Sequence, residues 1–147
     1  MMFVDGVLKH WHSVDWSAET SRLDIATLEL RTVGLAIKRF APTLKKLGLE
    51  AALVVDNTDT ENCLAKGQTG SFQLNRQLKF VHHALANVPM LSYVQWICSE
   101  DMPADGLTRG ETQPNIWTLD HSKLTSTPHR IVYPVFPILP RKAEANK

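Results

Sequence analysis

The apolar run from Leu49 to Val55 constrains the fold of this chain more than any other segment, because it is nearly unbroken and ends at an acidic residue, Asp56. Near-continuous apolar runs are typical of strands buried on both faces of a parallel sheet. The run therefore predicts a buried strand of an α/β fold. Asp56 would stand at the carboxyl end of that strand, where open α/β sheets place their binding sites.

Two other acidic residues, Glu29 and Asp105, flank Asp56 along the chain. Glu29 shares one helical face with the apolar residues Ile25, Val33, Ala36 and Phe40, so it is expected to project toward the sheet. A short turn or helix from Pro103 is expected to place Asp105 near the same rim as Asp56. Three carboxylates that converge can hold divalent cations, and two such cations can clamp a scissile phosphate. Without the other two acids, Glu29 would fit an ordinary amphipathic helix whose carboxylate reaches the rim.

Turn and capping residues predict the neighbouring elements. Asp5-Gly6 predicts a tight hairpin between two strands in residues 1–12, because this pair tolerates the positive φ angles of a two-residue turn. Pro42 and Gly48 are expected to end the helix that carries Glu29. A short helix should run from Thr58 or Asp59 to Lys66, with Gly67 as its left-handed cap.

A longer helix should follow, capped by Ser71, and its apolar stripe comprises Leu74, Leu78, Val81 and Leu85. His82 and His83 lie beside this stripe and point in different directions, so a shared metal is not expected. Leu91 to Ile97 then predicts another strand, after the break at Pro89.

The 147 residues suit one ordinary domain, and the formal net charge of +1 gives no overall attraction for nucleic acid. Cations gather locally at Lys38, Arg39, Lys45 and Lys46, where they could contact nucleic acid or simply complement the end of a helix. Cys63 and Cys98 fit neither a zinc site nor a disulfide framework and are expected to be reduced and buried. No apolar run approaches the length of a membrane span, so an intracellular setting is expected.

Several short blocks occur in the order typical of one family. The blocks are Trp16-Ser17, Leu28-Glu29-Leu30, Asp56-Asn57-Thr58, Lys66-Gly67, Trp96-Ile97 and Ala104-Asp105-Gly106-Leu107-Thr108-Arg109. Over residues 1–110 the chain resembles the ribonuclease H domain of retroelement reverse transcriptase polyproteins of the DIRS, Ngaro and VIPER group. The resemblance implies a mixed sheet with flanking helices. It also implies catalytic, Mg²⁺- or Mn²⁺-binding carboxylates at Glu29, Asp56 and Asp105.

The family's first catalytic Asp has no counterpart here. The resemblance places that Asp on a central first strand, farther upstream of the helix Glu than the start of this chain allows, so the domain is expected to be N-terminally truncated. Asp5 is a possible replacement ligand. The loop Cys98 to Met102 also lacks the His that cellular ribonucleases H carry there.

Residues 1–109 are thus expected to form a partial ribonuclease H-like domain. Five prolines follow it, at Pro114, Pro128, Pro134, Pro137 and Pro140. They predict a Pro-rich extended arm or linker over residues 110–147. Arg109 is either a surface residue or a phosphate contact.

Three functions follow from these features. The first is a retroelement-derived fragment with weak or no catalysis. The second is an active, metal-dependent endonuclease that cleaves the RNA strand of an RNA/DNA hybrid, acting next to an upstream reverse transcriptase segment. The third is a non-catalytic module that binds nucleic acid or protein.

Overall fold

The computed structural model describes residues 1–11, 24–104 and 118–133. Over these residues the fold is mixed α/β, with three α-helices, a two-stranded antiparallel sheet and a three-stranded mixed sheet. In chain order the elements are β1 (Met2–Val4), β2 (Val7–His10), α1 (Ile25–Leu47), β3 (Ala51–Val55), α2 (Thr58–Lys66), α3 (Phe72–Leu85), β4 (Leu91–Trp96) and β5 (His129–Arg130). Short 3₁₀ turns lie at Ser99–Asp101 and His121–Lys123.

The predicted hairpin is confirmed. β1 and β2 pair antiparallel, with Val4 opposite Val7, and only Asp5 and Gly6 connect them. Both connecting residues have positive φ angles, 52° and 78°. These values are those of a tight turn whose twist matches the twist of the flanking strands.

Helix α1 begins at a cap and runs through a proline. The Asp24 side chain accepts a hydrogen bond of 2.8 Å from the Thr27 amide, and Gly48, with φ 65°, ends the helix in the left-handed conformation. Pro42 lies inside the helix, so the expectation that it helps to end the helix is wrong. A proline removes one helical hydrogen bond. Because Pro42 is exposed, water can solvate the helical carbonyl that has lost its amide partner.

The buried face of α1 is rotated from the predicted one. Thr27, Leu28, Leu30, Gly34 and Ile37 are buried, and the helix packs mainly against α3. Of the predicted stripe, Ile25 is 70% exposed, while Val33, Ala36 and Phe40 are half-buried. The periodicity correctly predicts that α1 has an apolar face, but the face that packs against α3 is the neighbouring one.

The three-stranded sheet has the order β3-β4-β5, with β3 parallel to β4 and β5 antiparallel to β4. The predicted parallel strand is therefore present, from Ala51 rather than Leu49. It is less buried than expected, because Val55 is its only buried residue and Ala52 is exposed. The physical reason is that β3 lies at the edge of the sheet among the described residues.

Residues 118–133 pack against the far side of β4. The Ile131 amide donates to the Ser92 carbonyl at 2.9 Å, and the Ile131 side chain is buried in the main core. Gln95, itself buried, donates from its amide nitrogen to the Ser126 carbonyl at 2.6 Å. This segment thus supplies both β5 and a part of the core.

The core lies between the helices and the three-stranded sheet. Its fully buried side chains come from all three helices, from β4 and from the turn before β4, and include Leu30, Leu64, Val81, Leu85, Val88 and Val94. Of the two free cysteines, Cys63 is buried as predicted, whereas Cys98 is only half-buried. Among the described residues, no helix is long and apolar enough to cross a membrane.

Candidate carboxylate site

A cavity of about 360 Å³ opens at the carboxyl ends of β3 and β4. It is lined by Glu29, Asp56, Asn57, Thr58, Trp96 and Ser99. Glu29 from α1 and Asp56 from the end of β3 therefore face one space, although they are far apart in the chain. This is the rim at which the sequence predicts a site.

The backbone of β4 fixes the position of Asp56. The Ile97 amide donates to the Val55 carbonyl at 2.9 Å, and the indole nitrogen of Trp96 donates to the Asp56 carbonyl at 3.1 Å. Val55 is buried while Asp56 is half-buried. The strand is thus anchored up to its last residue, and the Asp56 side chain meets the cavity from a fixed backbone.

The start of α2 forms a second wall of the cavity. The Asn57 side-chain oxygen accepts hydrogen bonds from the Asp59 amide at 2.7 Å and the Thr60 amide at 3.4 Å. These bonds satisfy two of the amides that a helix leaves without partners in its first turn. The positive end of the helix dipole lies beside the cavity and favours negative charge there, whether carboxylate or phosphate.

Glu29 reaches the cavity from the first turns of α1. Its chain neighbours Leu28 and Leu30 are 5% and 1% exposed, so the helix is held firmly on either side of this residue. Thr32 donates from its hydroxyl to the Leu28 carbonyl at 2.8 Å. The half-buried Glu29 carboxylate therefore projects from a rigid support, as a metal or proton-transfer site requires.

None of the other predicted site residues that the structure describes lines this cavity. Asp105 and Arg109 fall outside the described residues, which stop at Ala104 before resuming at Thr118. Asp5 lies in the β1–β2 turn and lines a second cavity, of about 530 Å³, between the two sheets. Lys38 and Arg39 are exposed on α1, and the Lys38 ammonium lies 5.3 Å from the centre of the Phe80 ring.

The described residues alone do not assemble a three-ligand metal site. Within residues 1–11, 24–104 and 118–133, no three His, Cys, Asp or Glu side chains form a group that could hold a metal ion. The cavity offers two carboxylates. Mg²⁺ in proteins is often bound through one or two carboxylates while it keeps several waters, so two carboxylates are enough ligands for one hydrated ion.

Two features of the cavity go beyond the acidic pattern. Trp96 belongs to a block that supports the family resemblance, but its hydrogen bond to Asp56 has no sequence signal. Ser99 reaches the cavity because the 3₁₀ turn Ser99–Asp101 follows β4 directly. A lone serine in a polar loop carries no pattern that would have singled it out.

Neither described cysteine lines this cavity. Cys63 is buried on α2, and burial, helped by the nearby negative charge of Asp59, raises the pKa of its thiol. A thiol with a raised pKa stays protonated at neutral pH, and the thiolate is the nucleophilic form. Cys63 is therefore a small core residue.

Comparison with models of known protein families, with curated proteins and with solved structures finds no match to this chain.

Proposed function

We propose that this chain is a ribonuclease H-like domain of the retroelement type, with a weak, incomplete metal site and little or no hydrolytic activity. Glu29 and Asp56 would hold one hydrated Mg²⁺ or Mn²⁺ ion, and Asp105 would be a third ligand. The substrate class would be an RNA/DNA hybrid. The activity would be low because, among the described residues, two carboxylates line the cavity, fewer than the resemblance implies.

The observation that carries this proposal is that Glu29 and Asp56 line the same cavity at the carboxyl end of β3. The sequence predicts both as ligands, Glu29 on a helix and Asp56 at a strand end, together with Asp105. Such an arrangement supplies oxygen ligands from two rigid elements. The bound ion, when present, would activate water and stabilise a leaving oxygen.

Residues of this chain would also orient the ion and contact the nucleic acid. Asp56 and Glu29 would orient the ion, and the amino end of α2 would favour a phosphate oxygen beside it. Lys38 and Arg39 are exposed and are candidates for contacts to a phosphate backbone outside the cavity. Recognition of a hybrid would depend on groove shape and 2′-hydroxyls, because degradation without sequence preference cannot rely on base edges.

Metal binding is tested by following backbone amide resonances while Mg²⁺ is added. The expected result is that shifts concentrate at residues 56–58, at Glu29 and at Ser99, and that Asp56→Asn and Glu29→Gln each weaken them strongly. Asp59→Asn is the matched control, because Asp59 is an exposed carboxylate in the first turn of α2 and the substitution removes the same charge. Equal responses in Asp56→Asn and Asp59→Asn would contradict the site.

Catalysis is tested separately with a labelled RNA/DNA hybrid in Mg²⁺ or Mn²⁺. The proposal expects cleavage that is slow or undetectable, and any cleavage should disappear in Asp56→Asn. Efficient turnover that Asp56→Asn abolishes would instead establish a competent enzyme. Asp5→Asn would then test whether Asp5 supplies the fourth ligand. Cleavage that survives Asp56→Asn would show that the activity arises elsewhere.

A further inference from the structure

The charges of this chain are divided unevenly between its elements. The whole chain has 16 lysine and arginine residues and 15 aspartate and glutamate residues, so its net charge says nothing about where they lie. Helices α1 and α3 carry a single acidic residue, Glu29. They carry seven basic ones, which are Arg31, Lys38, Arg39, Lys45, Lys46, Arg76 and Lys79. These two helices are therefore strongly positive although the chain as a whole is almost neutral.

The two helices lie side by side, and Lys38 reaches from one to the other. Gly34 brings the backbone of α1 close to α3, because a Cβ atom there would lie 2.5 Å from a Phe80 ring carbon. One turn later along α1, the Lys38 ammonium lies 5.3 Å from the centre of the Phe80 ring. Lys38 is exposed and Phe80 is half-buried, so this contact marks the solvent side of the seam between the helices.

On α1, Lys38 is the middle of a regular row of cations. Arg31 and Lys45 stand seven residues before and after it, which is close to two full turns, so the three share one side of the helix. Lys38 and Lys45 are exposed, and Arg31 is half-buried. Arg39 and Lys46 each follow a member of the row by one residue, about 100° further round the helix, and so lie off it. The row extends along α1 for about 20 Å.

Helix α3 supplies a second row beside the first. Its members, Arg76, Lys79 and His83, are exposed and recur at intervals of three and four residues. They lie opposite the buried stripe of α3, which includes Leu78, Val81 and Leu85. Arg76 and His83 stand one turn before and one turn after Phe80, the ring that Lys38 contacts. We call the two rows together the α1–α3 basic face; its residues are Arg31, Lys38, Lys45, Arg76, Lys79 and His83.

Among the described residues, the acidic side chains of these helices lie away from this face. None lies between Arg31 and Lys45 on α1, and none lies on α3. Glu29 precedes the row, but it lines the cavity at the carboxyl end of β3. Asp24 caps the start of α1. The α1–α3 basic face thus carries charge of one sign, and such a surface attracts polyanions.

The polarity of the face favours a dissolved polyanion over an anionic membrane. The exposed large apolar side chains of the two helices are Ile25, Leu47 and Phe72, which are terminal residues of their helices. A helical surface that binds a membrane places large apolar side chains along its length, so that they enter the lipid. Between their ends, α1 and α3 expose no large apolar side chain. Lipid binding would therefore gain little from this face.

The length and regularity of the face favour a nucleic-acid duplex over an acidic protein segment. A duplex carries one negative charge for about every 1.7 Å of its axis, so a row of cations about 20 Å long meets phosphates all along it. An acidic segment has to place individual carboxylates at matching positions. The two cavities described above are lined by other residues, so the cations of the face are not part of either one.

We infer that the α1–α3 basic face is a docking surface for the phosphate backbone of a double-stranded nucleic acid. It would bind DNA and RNA/DNA duplexes alike and without sequence preference, because phosphate contacts carry no sequence information. It would need no metal ion. The inference extends the phosphate contact proposed for Lys38 to a surface of two helices, and it does not rest on the carboxylate site or on catalysis.

The probe is a fluorescein-labelled DNA duplex of about 20 base pairs, which is longer than the face. An RNA/DNA hybrid of the same sequence is the second probe, and fluorescence anisotropy measures binding. EDTA is present throughout, so a failure of the metal site cannot affect the result. Binding should weaken steeply as NaCl is raised. The logarithm of the binding constant should fall with the logarithm of salt concentration at a slope of roughly −3 to −5, because each neutralised phosphate contributes about −0.9.

A triple variant tests whether the cations of the face make these contacts. Lys38→Gln, Lys45→Gln and Arg76→Gln together should make the salt slope shallower by about 3 and weaken binding at low salt by about tenfold or more. Circular dichroism checks that the fold is kept. Because Lys38 also contacts Phe80, a double variant of Lys45→Gln and Arg76→Gln leaves that contact in place. It should make the slope shallower by about 2.

The matched control removes three exposed cations from other elements. Lys9 lies on β2, Lys66 on α2 and Lys123 in the 3₁₀ turn before β5. Lys9→Gln, Lys66→Gln and Lys123→Gln together change the net charge by the same amount as the triple variant of the face. This control should keep the salt slope of the parent protein.

Four outcomes would overturn the inference. The first is a folded protein that binds neither duplex at low salt. The second is an equal loss of slope in the control, because the attraction would then be diffuse. The third is much tighter binding of the hybrid than of DNA, which would mean that groove shape is recognised. The fourth is competition by phosphatidylserine vesicles or polyglutamate as strong as that of unlabelled duplex, which would indicate a membrane or an acidic protein. Binding of both duplexes without any response to Mg²⁺ would keep this inference and remove the proposed metal site.

Discussion

The indole N–H of Trp96 donates a hydrogen bond of 3.1 Å to the backbone carbonyl of Asp56. Trp96 is the last residue of β4, and Asp56 follows the last residue of β3. The bond therefore extends the contact between the two parallel strands past the end of their ladder, at the residue that carries the candidate ligand. A side chain of one strand thereby fixes the backbone of the other strand where it borders the cavity.

Trp96→Phe should separate this role from simple packing. Phenylalanine keeps a ring on β4 but cannot donate, so the free energy of unfolding should fall by about 1–2 kcal/mol. Mg²⁺-induced shifts at Asp56 should also weaken. Denaturant titration measures the first effect and NMR the second. Trp11→Phe is the control, because Trp11 is 46% exposed after β2. Identical behaviour of the two variants would refute the role given to the hydrogen bond.

Local signals in the sequence were sufficient for the elements that local chemistry determines. Asp5-Gly6 makes a hairpin turn because both residues tolerate positive φ angles. Gly67 ends α2 for a related reason, with φ 77°. Ser71 caps α3 by accepting a hydrogen bond from the Leu74 amide at 3.3 Å. Each of these features depends on residues within one turn of chain, so the sequence contains the whole cause.

Features that depend on a distant partner were harder to predict. The apolar face of α1 is broad, and periodicity does not say which part of it meets α3 and which part meets the cavity between the sheets. For β3, the apolar run predicts a strand covered on both sides, yet Ala52 is exposed. Glu29 and Asp56, which line one cavity, both belong to blocks that carry the family resemblance, whereas Ser99 carries no comparable sequence signal.

Gly34 should be intolerant of even the smallest side chain. A Cβ atom built on Gly34 would lie 2.5 Å from a Phe80 ring carbon, well inside contact distance, where α1 packs against α3. Gly34→Ala should therefore destabilise by about 1–2 kcal/mol, since overpacking outweighs the roughly 1 kcal/mol that alanine adds as a better helix former. Thermal or denaturant unfolding measures the change.

Two controls test this explanation of Gly34. Gly70→Ala meets no atom within 4 Å and should be nearly neutral. In a Phe80→Ala background, the cost of Gly34→Ala should largely disappear, because the ring that causes the clash is gone. A cost that persists in that background would mean that the ring is not its source.

His82 should make stability depend on pH. The His82 ring is buried, and neither ring nitrogen has a hydrogen-bond partner within the described residues. Burial lowers the pKa of His82. The backbone of Val132 partly opposes this shift, and the neighbouring His83 adds to it. The unfolded chain therefore binds a proton more readily than the folded one. Stability is complete above the unfolded pKa of about 6.5 and falls as pH drops from there through the lower folded pKa.

Replacement of His82 by phenylalanine tests this dependence. Phe keeps an aromatic ring against Tyr133, whose ring centre lies 5.3 Å from that of His82. His82→Phe should flatten the stability profile below pH 6.5, whereas His83→Phe, at an exposed position, should leave the slope in place. Denaturant unfolding between pH 5 and 8 gives both profiles. Loss of the slope in His83→Phe but not in His82→Phe would contradict the role given to His82.

Gln95 should hold residues 118–133 against β4. Its amide nitrogen donates to the carbonyls of Ser126, at 2.6 Å, and Leu124, at 3.3 Å, and the side chain is 8% exposed. Gln95→Leu fills the space but leaves two carbonyls without this donor, so we expect a loss of about 1–3 kcal/mol. Hydrogen exchange at the Ile131 amide, which donates to the Ser92 carbonyl, should also become faster in this variant.

Gln73→Leu, at an exposed position on α3, is the control and should change neither the stability nor the exchange rate. Unchanged protection of Ile131 in Gln95→Leu would show that the segment is held without the Gln95 hydrogen bonds.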